Sequence, residues 1–86
     1  MDEPVADFTP TLRLAISEAK AAGLADAASE LEARAFACYT TSSEMLGETG
    51  MAIRAFLNSR TRPIPLNITT RLEICLNEIR KVWPHV

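Results

Sequence analysis

The sequence predicts an all-α fold, a small single-domain bundle of about four helices, from three observations. Apolar residues recur at spacings of three and four through several windows. No stretch alternates apolar and polar residues long enough to compete as a strand. The windows are separated by proline, glycine and hydroxyl residues of the kind that start and stop helices. A length of 86 residues leaves room for one core and no second domain. With 48% hydrophobic and 23% charged residues, the composition is that of an ordinary globular chain and not of a disordered one.

Residues 1–8 read as a flexible N-terminal tail ahead of a single helical domain spanning 9–84. Thr9 offers a capping hydroxyl and Pro10 suits the first helical position, where its missing N–H would have no partner. Leu12, Ala15, Ile16, Ala19 and Ala22 then share one face, and Gly23 supplies the left-handed residue that ends many helices. The first helix therefore covers about 10–22. Asp26 is the next capping candidate, and Ala27, Ala28, Leu31, Ala35, Cys38 and Tyr39 continue a stripe. The short connection makes a helical hairpin of residues 10–39.

Thr40-Thr41-Ser42-Ser43 follows, and Thr41 with Glu44 three residues on matches a capping box, so a third helix is expected at about 42–58. The rival reading runs the second helix straight through these hydroxyl residues. Leu46, Gly50, Ile53 and Leu57 form the seam of the third helix, widened by Met45, Ala52 and Phe56. Gly47 and Gly50 each cost roughly 1 kcal/mol relative to alanine inside a helix, so they mark either a close helix crossing or a turn. Asn58 to Pro65 reads as a stop and an extended linker. Asn67 can then cap a fourth helix at about 67–83, in which Ile68, Leu72, Cys75, Leu76, Ile79, Val82 and Trp83 recur and which Pro84 ends. Leu12 to Lys20 and Leu72 to Arg80 share their pattern position by position, which reads as convergence of amphipathic helices more than as a duplicated hairpin, since the chain lacks the regular period of helical-hairpin repeats.

Charge is divided unevenly. Residues 1–50 carry nine acids against three bases, a balance of −6, and residues 51–86 carry six bases against two acids, a balance of +4. The six bases, Arg54, Arg60, Arg62, Arg71, Arg80 and Lys81, are the candidate partner-binding residues. Arginine grips carboxylate and phosphate alike, so residue type alone admits a protein partner or nucleic acid. A helix-turn-helix reader needs a short turn before a polar recognition helix, whereas the last helix follows a proline-rich linker and is strongly apolar.

No catalytic, metal or cofactor site is expected. His85 is the single histidine and the two cysteines lie 37 positions apart, far from the local spacing of a zinc site. Cys38 and Cys75 fall on apolar stripes and are expected to be reduced, buried and slow to react. Gly47 and Gly50 lack the lysine and the preceding strand of a phosphate loop. The acidic start is unlike a secretory signal, and the longest uncharged run, Ala35 to Ser43, is far short of a membrane span. A cytoplasmic setting without membrane contact is expected.

The function expected is that of a non-catalytic helical protein–protein interaction or regulatory module, with a nucleic-acid-associated protein using the basic C-terminal half as the alternative. Self-association as a homodimer is also expected. Met45, Met51, Phe56, Ile74 and Leu76 widen the apolar faces beyond a simple seam, and the oppositely charged halves would meet across a two-fold axis. Trp83 is expected to continue the buried seam of the last helix.

Overall fold

The computed structural model describes residues 6–58 and 63–86. It contains four helices, α1 (Thr9–Ala21), α2 (Ala25–Ala35), α3 (Ser42–Asn58) and α4 (Leu66–Ile79), and no strand among the described residues. Each helix packs on two neighbours, α1 on α2 and α4, and α3 on α2 and α4, which is the arrangement of a four-helix bundle.

The α1–α2 turn follows from Gly23. Its φ of 87° is the left-handed value that costs glycine nothing. With Gly23 so placed, the Leu24 N–H reaches the Ala19 carbonyl and the Gly23 N–H reaches that of Lys20, the paired bonds of a Schellman motif. Leu24, which the periodicity passed over, is buried at this corner. The break between the second and third helices is present: the Glu44 N–H donates to the Thr41 Oγ1 at 3.0 Å, the expected cap at the start of α3.

The core gathers one stripe from each helix. Leu12, Ala15, Ile16 and Ala19 of α1 match Leu72, Cys75, Leu76 and Ile79 of α4, and Ala28 and Leu31 with Leu46, Ile53 and Phe56 complete it. Full burial of a Leu, Ile or Phe side chain contributes roughly 1.5–3 kcal/mol, so these residues supply most of the drive to fold. The α1–α4 pair runs antiparallel. Glu78 Oε1 accepts from the Ala6 N–H at one end, and Arg71 Nε meets Glu18 Oε1 at 2.6 Å toward the other.

Several expectations are corrected. α2 stops at Ala35, so Cys38 is exposed on the connection and Tyr39 is only half-buried. The stripe of Ala35, Cys38 and Tyr39 continues in the sequence, but the Tyr39 hydroxyl turns back to donate to the Arg34 carbonyl and tucks the connection against the helix end. Thr9, Asp26 and Asn67 do not cap. The N-cap positions are Phe8, Leu24 and Pro65, and none of them makes a side-chain capping bond. At α1 the Thr9 N–H is taken by Asp7 Oδ1 at 3.0 Å, and Phe8 is buried against the core. α4 ends at Ile79, four residues before Trp83, and the turn that follows carries Val82 and Trp83 out of the seam, 42% and 41% exposed. Of the residues expected to widen the apolar faces beyond a simple seam, Phe56 and Leu76 join the core, whereas Met51 and Ile74 are exposed.

Candidate interaction groove

α3 begins with the Thr41 cap, and helical geometry then sets Glu44, Gly47, Glu48 and Met51 on one outward stripe at spacings of three and four. Beyond α4 the chain folds back over this stripe. The Trp83 N–H bonds the Ile79 carbonyl at 2.9 Å, the Val86 N–H bonds that of Trp83 at 3.2 Å, and Arg80 Nε donates to the Val86 main-chain oxygen at 2.7 Å.

Both glycines of α3 are helical, and both are close approaches. A β-carbon at Gly50 would stand 2.4 Å from Val86 Cγ1 and 3.1 Å from Ile79 Cγ2, closer than carbon atoms pack. At Gly47 it would stand 3.4 Å from the Trp83 indole, in ordinary contact. Gly50 therefore makes the notch that receives Val86, and Gly47 the flat floor beside which Trp83 lies. The indole is fixed as well as seated, because its Nε1 donates to the Ser43 carbonyl at 2.9 Å.

Together these elements enclose an open groove of about 480 Å³ lined by Tyr39, Glu44, Gly47, Glu48, Met51, Trp83 and Val86. Met51, 55% exposed, and Trp83 are the exposed large apolar side chains of its lining. Among the described residues, neither Glu44 nor Glu48 forms an ion pair. The groove thus joins a fixed aromatic ring, a flexible thioether and two carboxylates one helical turn apart.

The residues singled out in the sequence lie elsewhere. Arg71 is bonded to Glu18, Arg80 faces Glu73 at 3.8 Å and the Val86 oxygen, and Lys81 Nζ meets Glu78 Oε1 at 2.9 Å. Arg54 is exposed on α3, and Arg60 and Arg62 lie outside the described residues. Arg71 on α4, and Arg80 and Lys81 just beyond its end, thus each meet an acid within the chain. Arg13 stacks on the Phe36 ring, 4.1 Å from its centroid, and closes the α1–α2 edge. Cys75 is buried, which pushes its thiol up to about 11 and leaves it protonated near neutral pH. No group of three or more His, Cys, Asp or Glu among the described residues is placed to hold a metal ion, and no described helix is long and apolar enough to cross a membrane.

Sequence reasoning missed the groove because its two walls are joined only by the chain reversal after Ile79. The one signal pointing to it was the Gly47–Gly50 pair, whose cost inside a helix demanded a close neighbour.

No family model matches the chain, and neither a curated protein nor a solved structure shows significant similarity to it.

Proposed function

We propose that this chain is a small, non-catalytic helical protein–protein interaction module of a reduced, cytoplasmic setting, which holds its partner at the groove between α3 and the turn after α4. The observation that supports this reading is the exposed Met51–Trp83 surface. Elsewhere the bulky apolar residues of α3 are turned inward, yet here a tryptophan is fastened by a hydrogen bond with its face left open. Fixed aromatic rings of this kind bind with little loss of side-chain freedom and anchor many protein interfaces. The alternative, nucleic-acid association through the basic half, is weakened by the pairing of Arg71, Arg80 and Lys81 with acids.

Affinity capture from an extract of the source cell, with the parent chain and with Met51→Asp, tests the proposal. The parent retains a stoichiometric protein that the variant loses. Retention of none, or equal retention by both, overturns it.

Self-association has a separate observation in its favour. Thr11, Leu14 and Glu18 form one stripe of α1, and Arg71, Ile74 and Glu78 one stripe of α4; the Glu18–Arg71 bond sets these stripes side by side. Leu14 and Ile74 are exposed by 46% and 49% at matching positions of the two helices. An antiparallel helix pair of this kind is a natural face for a two-fold contact. Sedimentation equilibrium at micromolar concentration decides it: a dimer that Leu14→Glu dissociates supports the reading, and a monomer of 9.4 kDa refutes it.

A further inference from the structure

Resting on the reading of the groove as an interaction site, we propose that its occupant is a positively charged, amphipathic helical segment of a partner protein. Its apolar side chains would pack on Met51 and Trp83, and its Lys or Arg side chains would pair with Glu44 and Glu48. Three features of the groove select this chemistry.

The first is charge complementarity. Glu44 and Glu48 flank the apolar floor, and among the described residues no cation pairs with them, so an incoming Lys or Arg meets a carboxylate that loses no existing partner. The same carboxylates repel phosphate, which argues against a nucleic acid at this face. The second is length. Glu44 to Met51 advances about 10 Å along α3, roughly two turns of helix. Because Glu44 and Glu48 are four residues apart, they match cations spaced by one turn on a helical partner, with apolar anchors between them. The third is preparation. The Trp83 ring is held by the Ser43 carbonyl and backed by Gly47, so little order must be imposed when a side chain packs on it.

A second copy of this chain is a poor fit to these requirements. Among its described residues Arg13 lies over Phe36, Lys20 pairs with Glu32, Arg71 with Glu18, Arg80 with Glu73 and Lys81 with Glu78, while Arg34 and Arg54 are the single cations of α2 and α3. No described helix offers two uncommitted cations one turn apart beside an exposed apolar stripe.

The test uses the full chain and Trp83, its single tryptophan, as reporter. The probes are a helix-forming peptide of about four turns, with leucines on one face and lysines flanking them, and the same peptide with every lysine replaced by glutamate. The lysine peptide is expected to saturate a change in Trp83 emission and to bind more weakly as salt is raised. Glu44→Lys with Glu48→Lys should weaken it by about tenfold or more, and the milder Glu44→Gln with Glu48→Gln by a smaller factor, with circular dichroism unchanged in both. Several results overturn the inference: no binding of the lysine peptide, equal binding of the glutamate peptide, or binding indifferent to both pairs of substitutions. A single-stranded oligonucleotide that produces the emission change in place of the peptide does so too, as does a concentration-dependent change without peptide that Met51→Asp removes. If the peptides fail while extract capture still succeeds and still depends on Met51, the interaction reading stands and the basic helical partner falls. If both fail, the interaction reading falls as well.

Discussion

The α1–α4 pair and the α3 face beneath the C-terminal turn use similar apolar residues to opposite ends. In α1 and α4 the pattern of three and four is filled almost without exception: Leu12, Ala15, Ile16 and Ala19 and their counterparts Leu72, Cys75, Leu76 and Ile79 are all 2% exposed or less. Glu18 and Arg71 close the outer edge of that interface. On α3 the inward stripe is buried too, but Met51 stands outside it and Trp83 is brought over from another element to lie near it. The inward stripes of the first pair turn periodicity into stability, with Leu14 and Ile74 left on its outer side; the second region adds to its core an apolar surface built from two elements far apart in sequence. Where surplus of that kind is fastened in place, recognition is the economical explanation.

Substitutions can break this contrast, and the largest effect belongs to the first region. Leu76→Ala removes a fully buried side chain from the α4 seam and should cost about 2–5 kcal/mol in urea unfolding. For a domain this small, that is a large part of the whole stability. A loss below about 1 kcal/mol would show that the seam repacks freely.

Gly50→Ala and Gly47→Ala sharpen the comparison within one helix. Alanine at 50 collides with Val86 and crowds Ile79, so overpacking, about 1–3 kcal/mol, outweighs the helix-propensity gain of about 1 kcal/mol, and the C-terminal turn is displaced. Alanine at 47 meets the indole at contact distance and keeps most of that gain, so its melting temperature should hold or rise. Equal effects at the two positions would contradict the close packing of Val86. Thr41→Ala, which removes the cap of α3, should cost about 1 kcal/mol.

Thiol titration separates the regions without any mutation. Cys38 is exposed and should react at once, whereas Cys75, buried and with its thiol raised to about 11, should react only as the bundle opens. Equal rates would place both in one environment.

The smallest effect is electrostatic. Asp7 is held below its ordinary range chiefly by the Thr9 backbone N–H, and Glu78 chiefly by its bond to Lys81 and then by the Ala6 N–H. A carboxylate lowered in the folded state contributes stability above its unfolded pKa, near 4, and loses that contribution as pH falls through the folded value. Stability should therefore decline slightly on acidification below about pH 4, and Glu78→Gln should flatten the decline. Both groups are exposed, so solvent keeps the effect small.

The sequence disclosed what local periodicity and turn chemistry encode. The four helices, the Gly23 corner, the Thr41 cap and the inward faces of α1 and α4 were legible because each is decided within a few residues. Phe8 and Leu24 extend the buried stripes of α1 and α2 backward by four residues, to Leu12 and Ala28, but they precede Thr9 and Asp26, the residues read as the helix starts, and so fell outside the stripes as read. Asp26 and Asn67 looked like caps by residue type, but the chain enters those helices two residues earlier, through Leu24 and Pro65. Cys38 and Tyr39 continued a stripe that the helix itself did not follow. Trp83 was misread because its spacing fits the α4 seam, whereas the helix ends at Ile79 and sends it to Ser43, forty residues away in sequence. The groove is non-local in the same way, and only its glycines left a trace.

The most direct test of the contrast is urea unfolding of Met51→Asp. If Met51 belongs to a surface kept for recognition, placing a charge there leaves the unfolding free energy within about 0.5 kcal/mol of the parent, as for other exposed positions. A loss of about 2 kcal/mol or more would make Met51 part of the core and would remove the distinction between the region that folds the chain and the region proposed to bind.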